Sequence, residues 1–354
     1  MPDLFSPLTI RGVTFRNRIA VSPMCEYSSH DGFANDWHLV HLGSRAVGGA
    51  GLLITEAAAV EPRGRISPAD LGIWKDAHIE MLARITRFVR EQGGVPGIQL
   101  AHAGRKGSTR VPWEGDAVVP ESEGGWQAVA PSPIPFRPQE PAPAELTNAE
   151  IRGIVEAFAA ATRRAVSAGF QVVEIHAAHG YLIDEFLSPL TNHRADEYGG
   201  AFDGRIRLAL EVAAAVRAAC PDSLPLFMRI SAVDWVEDGW QLEDSVELAR
   251  RLRPLGVDLM DCSSGGVVPH AKMQIGPAYQ TPFAERIRRE SGILTGAVGM
   301  ITEPHQADAI IRAGQADMVL LAREFLRNPY WPLHAAKALG ASAGVPKQYR
   351  RAFV

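Results

Sequence analysis

The chain has 354 residues, of which 46% are hydrophobic and 21% charged, with a formal net charge of −4. That is the balance of a globular fold with ample core, and without a basic block it argues against nucleic acid or an anionic membrane as partner. Three scattered cysteines, Cys25, Cys220 and Cys262, form neither a disulfide framework nor a CxxC metal knuckle, so a reducing cytoplasm is expected.

The start, MPDLFSPLTIRG, lacks a basic region followed by an apolar stretch, so no export signal is expected, and no apolar run is long enough for a membrane span. Residues 8–17, LTIRGVTFRN, read as a hairpin turning at Arg11-Gly12 and closing the bottom of the fold. Short apolar runs then recur: RIAVSPM (18–24), GLLITEAA (51–58), GIQLAH (97–102), VVEIHAA (172–178), LPLFMRIS (224–231), DLMDCSS (258–264), LTGAVG (294–299) and DMVLLAR (317–323). Helical periodicity fills 78–92, 149–168, 205–219, 244–255, 282–291 and 304–314. Thr147 and Glu150 predict a capping box at the start of the second helix.

This alternation points to an α/β fold, a TIM (β/α)8 barrel over residues 1–354, with an N-terminal hairpin and a long insertion after strand 3. A doubly wound sheet is the rival, but neither GxGxxG nor GxxxxGK[ST] follows any strand. The insertion, 103–146, carries six prolines from Pro131 to Pro143, so that stretch is extended. Its place after a strand's C-terminal end puts it over the catalytic face as a lid.

Barrel chemistry sits where strands end. On strand 4, period-two alternation turns Glu174 and His176 inward, and a turn of the loop can bring His179 beside His176, with Tyr181 following. Two readings of this group stay open. It could ligate zinc, which needs about three protein ligands, so that Asp184 or Glu185 would have to fold back. Alternatively, two neutral imidazoles could polarise an oxygen while the phenol delivers a proton. The last two strands, with GAVGM and LAREF, supply glycine amides, a helix start and Arg323 where barrels hold a phosphate. With Gln99 on strand 3 and Arg229 on strand 5, they describe a site for a flat phosphorylated cofactor; the alternative for Arg229 is an ion pair inside the barrel.

SPMCEYSSHDG, QLAHAGRKG, EIHAAHGYLIDEFLSPLTNHRADEYGG, FMRIS, GAVGMI and LAREFLRNP together resemble the old yellow enzyme family of FMN-dependent ene-reductases, in consistent order from about Leu4 to Phe353. Cys25 and the HxxH form look like the bacterial NADPH dehydrogenase (thermophilic-like) branch; the yeast-like branch has threonine and asparagine where Cys25 and His179 stand. The resemblance implies tightly bound, non-covalent FMN held by Ser22, Pro23, Met24, Cys25, Ala57, Gln99, Arg229, Gly299, Ala322 and Arg323. It implies NADPH as reductant, His176 and His179 on the activating oxygen of an alkene conjugated to a carbonyl or nitro group, and Tyr181 as proton donor. Tyr27 and Cys25 would line the substrate side, with Cys25 tuning the cofactor rather than attacking covalently.

The resemblance further implies a cytoplasmic homo-oligomer, dimer or tetramer. The tail, 341–354, would carry Arg351 into a neighbouring active site. The insertion is longer than the resemblance to compact bacterial members implies, and Trp113, Trp126 and the proline run are expected to reshape the pocket, which bears on substrate scope. The alternatives are a metal-dependent hydrolase using the HxxH pair, a non-enzymatic flavin carrier, and a dienoyl-CoA reductase-like flavoenzyme. That last type carries an iron–sulfur cysteine cluster, whereas the cysteines here are scattered.

Overall fold

In the computed structural model, residues 1–352 are described; Phe353 and Val354, the end of the expected tail, lie outside the described residues. The chain opens with a hairpin of β1 (Leu8–Ile10) and β2 (Val13–Phe15), paired antiparallel around Arg11, whose φ of 51° gives the tight turn. Eight parallel strands then close a barrel. They are β3 (Ile19–Val21), β4 (Leu52–Ala59), β5 (Val95–Ala101), β8 (Val172–Ala177), β9 (Leu226–Ser231), β10 (Leu259–Ser263), β11 (Leu294–Val298) and β12 (Met318–Leu321), in that order around the ring. All eight expected runs are barrel strands. Between β5 and β8 lie the two short strands of the insertion, β6 (Val129–Ala130) and β7 (Ala144–Glu145), which pair with each other.

The helices are α1 (Asp36–Val47), α2 (Ile79–Glu91), α3 (Asn148–Ser167), α4 (Leu182–Leu187), α5 (Phe202–Arg205), α6 (Arg207–Ala219), α7 (Leu242–Leu252), α8 (Thr281–Ser291), α9 (Pro304–Arg312), α10 (Arg323–Arg327) and α11 (Trp331–Leu339). Periodicity locates α2, α3, α6, α7, α8 and α9, and the reciprocal Thr147–Glu150 cap starts α3. It misses α1, because the inward stripe of that helix is not apolar. It buries His38, Gly43 and Arg45 alongside Leu42 and Ala46. Among the described residues no helix is long and apolar enough to cross a membrane.

The barrel interior is stacked in layers, as period-two alternation requires. The lowest is apolar: Val95, Val172, Phe227 and Leu259 pack with Ile10, Val13 and Phe15 of the hairpin, which thereby plugs the floor. Above it the inward positions turn polar, with Gln99 opposite Glu174 and Arg229 opposite Asp261. The topmost inward positions are His176, Ser231 and Ser263. The outward residues of the same strands, Val173, Ile175, Met228 and Ile230, join the helices in the outer core.

Candidate active site

At the rim, β8 ends in the loop that carries the histidines. His179 sits at φ 62°, a left-handed conformation that a residue with a side chain adopts only when its surroundings hold it. Here they do. Its amide donates to Ser231 Oγ at 2.8 Å, and its carbonyl accepts from Lys106 Nζ at 2.7 Å. The next residue, Gly180, has φ 70°, and a Cβ there would come within 2.3 Å of the Gly266 carbonyl, so only glycine lets the two loops touch. The result is an edge-on cluster, with the His176 ring 5.2 Å from His179 and 5.0 Å from Tyr181.

Both imidazoles are neutral. Burial pushes their pKa values well below the ordinary histidine range, and the positive charges of Arg229 and Lys106 push the same way. The Ala178 amide donates to His176 Nδ1 at 3.3 Å, which leaves the proton on Nε2. His179 Nε2 lies 2.7 Å from Ser263 Oγ. Burial drives the Tyr181 phenol well above its ordinary pKa, so it stays protonated. This is a donor set without charge. The carboxylates that a zinc site would recruit face elsewhere: Asp184 Oδ2 accepts from the Gly180 amide and Glu185 Oε1 from the Arg105 amide. Among the described residues no group of three His, Cys, Asp or Glu is arranged to hold a metal ion.

The β3 end supplies Ser22, buried, and then Pro23, Met24, Cys25 and Tyr27, all half-buried. Burial raises the Cys25 thiol well above its usual range, and the Asp70 and Glu56 charges add to this, so it is not a thiolate nucleophile. Burial likewise raises Tyr27, whose ring meets Trp113 of the insertion edge-on at 5.8 Å. A register shift in β4 between Ile54 and Ala57 sets Ala57 opposite Gln99. Arg229 does two things the sequence treated as alternatives. Its Nη1 donates to Ser22 Oγ at 3.0 Å, and its Nε lies 3.3 Å from Asp261 Oδ2.

From Arg229 and Ser263 a cavity of about 280 Å³ runs past Gly299 to Ala322 and Arg323. Gly299 is at φ 112°, and a Cβ there would stand 2.7 Å from Gln280 Nε2, so the backbone forms a cradle that a side chain would fill. Arg323 lines the far end of this cavity, at the start of α10. The residues present therefore fit a planar, phosphorylated cofactor such as FMN. Arg351, by contrast, is exposed on the terminal turn Lys347–Ala352. A second cavity of about 300 Å³ is lined by insertion residues that include Val118, Val119, Trp126 and Phe136, and by Tyr181.

Sequence reasoning passed over Gln280. Its Oε1 accepts from Ser264 Oγ at 2.6 Å and more weakly from Ser263 Oγ at 3.4 Å, and its Nε2 donates to the Val298 carbonyl at 3.0 Å. One amide thus ties the serine beside His179 to the Gly299 cradle. It stands just before α8, in no strand-end motif, and only its partners reveal it.

A profile of the NADH:flavin oxidoreductase / NADH oxidase family matches residues 3–341. A protein named NADPH dehydrogenase from Geobacillus sp. (strain WCH70) is 52% identical over 350 residues, 98% of each chain. Among solved structures, morphinone reductase in complex with tetrahydroNAD superposes with a TM-score of 0.80 at 28% identity, over 98% of this chain and 93% of that one. The old yellow enzyme homologue from Zymomonas mobilis gives 0.79 at 29% identity, over 98% and 96%.

Proposed function

Since the chain belongs to the NADH:flavin oxidoreductase / NADH oxidase family, we propose that it reduces carbon–carbon double bonds conjugated to a carbonyl or nitro group, in enones, enals, maleimides and nitro compounds. At the coarser level it is an NAD(P)H-dependent flavin oxidoreductase, with FMN as cofactor and NADPH as reductant. FMN, when bound, supplies reversible hydride acceptance and donation.

The residues around it supply the rest. Ser22, Pro23, Met24, Cys25, Ala57, Gln99 and Arg229 would hold the ring, and Gly299, Ala322 and Arg323 the phosphate. His176 and His179 donate to the activating oxygen, where negative charge grows as the β-carbon accepts hydride; one such donor is worth about 3–4 kcal/mol in the transition state. Tyr181 gives its proton to the α-carbon, and Tyr27 with Cys25 lines the substrate face. The lid cavity at Tyr181 supports acceptors with an apolar substituent beyond the reacting bond. In this reading residues 1–354 are one FMN-binding barrel unit, working in the cytoplasm as a homo-oligomer, dimer or tetramer. Arg351 is exposed, as a residue offered to a neighbouring site must be.

The observation that carries the reading is the uncharged trio of His176, His179 and Tyr181, with both neighbours' rings within 5.2 Å of the His176 ring and His179 Nε2 2.7 Å from the cavity-lining Ser263 Oγ. Anaerobic stopped-flow mixing tests it. NADPH should bleach the bound flavin, and 2-cyclohexenone or a maleimide should restore the yellow colour. Bleaching without reoxidation by any activated alkene would reject the substrate class while leaving the flavin assignment standing.

A further inference from the structure

The polar layer inside the barrel holds more acid than the proposed chemistry uses. Glu174 on β8 and Asp261 on β10 flank Arg229 on β9, and both carboxyls are fully buried. Gln99 Nε2 donates to Glu174 Oε1 at 2.8 Å, while Glu174 Oε2 has no hydrogen-bond partner. Asp261 is 3.3 Å from Arg229 Nε, yet neither of its oxygens receives an aligned hydrogen bond. The other groups facing this layer are Gln99, Ser22 and neutral His176, none charged. Among the described residues Arg229 is therefore the one cation set against these two carboxyl groups.

If both carboxyls were ionised, the layer would hold a net negative charge between an apolar floor and the cofactor cavity, with three carboxylate oxygens lacking donors. An uncompensated buried charge is among the costliest arrangements in a protein, and the usual relief is to bind a proton. Two buried acids that repel one another share it as a unit. Burial first, and the mutual repulsion of the pair second, raise the Glu174 carboxyl to about 8, and burial raises Asp261 as well.

We propose that Glu174 and Asp261 hold one proton between them at neutral pH and act as positioning residues for the cofactor, keeping the layer around Arg229 neutral before reduction and taking up a second proton when electrons arrive. The inference rests on the reading that the cofactor ring lies on this layer. Its balance is simple. Two electrons enter with the hydride of NADPH, NADP⁺ leaves, and one proton from water adds to the remaining carboxylate as an O–H bond.

The test is the reduction potential of purified holoenzyme from about pH 6 to about pH 9, for wild type, Glu174→Gln, Asp261→Asn and the double variant. A shared proton predicts that each single amide leaves the potential at neutral pH nearly unchanged, since the remaining carboxylate ionises against Arg229. The double variant leaves Arg229 uncompensated and should shift the potential positive by more than the sum of the singles. Equal positive shifts from both singles, adding in the double, would mean two ionised carboxylates and overturn the proposal; so would a double variant that does not move.

Should the variants lose FMN, the reduced-minus-oxidised infrared spectrum of wild type decides. A deuterium-sensitive gain in the protonated-carboxyl region supports the shared proton, and its absence refutes it. Wild type purified without any flavin would instead defeat the functional reading.

Discussion

A neutral imidazole can donate a hydrogen bond to a developing oxyanion without first carrying charge into a dry site, and burial is what keeps His176 and His179 neutral. Binding of phenolic ligands to the holoenzyme should therefore show no inflection near the ordinary histidine pKa of about 6.5 when titrated by flavin absorbance; a clear step there would contradict uncharged donors. His176→Ala or His179→Ala should weaken those ligands and slow reoxidation about 10²–10³-fold while FMN stays bound. Tyr181→Phe should slow reoxidation by enones about 10²–10⁴-fold and leave flavin reduction by NADPH intact. Loss of the reductive half alone would remove Tyr181 from its role. That these three residues come together was legible because one short motif at a strand end carries them all. Glu174, Asp261 and Gln280 were not, since their meaning lies in partners on other strands, and an isolated acid or amide looks like any other.

Single elements show the same limit from the other side. The strands were readable because each is a continuous apolar run between turn residues, and α3 was readable from its cap. Thr147→Ala should remove about 1 kcal/mol of stability, measured by chemical denaturation, because the Glu150 amide loses its hydroxyl acceptor and the Glu150 carboxylate its hydroxyl donor. Helix α1 hid because what it buries is chemistry rather than hydrocarbon. His38 reaches Glu56 at 3.0 Å, and Gly43 makes room for Phe88, which a Cβ would approach to 3.0 Å. The segment before α8 was invisible for the same reason. Gln280→Leu should raise the rate of FMN loss and weaken phenolic ligands together, read by released-flavin fluorescence and ligand titration. If only one of the two changed, the serine beside His179 and the Gly299 cradle would be independent.

For the molecule as a whole, buried acids set the response to pH. The Glu185 carboxyl, raised by burial to about 8 from an unfolded value of 4.5, contributes stability that is complete below 4.5 and lost as pH climbs through 8. The buried histidines work in the opposite sense, but only below about 6.5, where the unfolded chain would bind their protons. Between about 6.5 and 8 the acids act alone, so the melting temperature of the protein should fall as pH rises through that window, and Glu185→Gln should flatten the fall. The hairpin that stoppers the barrel has a kinetic corollary. With the underside packed shut by Ile10, Val13 and Phe15, donor and acceptor molecules on the proposed reading both approach the cofactor from the rim, each obstructing the other when in excess. Steady-state velocities should then plot as parallel lines in double-reciprocal form, and a surplus of NADPH should inhibit competitively against the alkene.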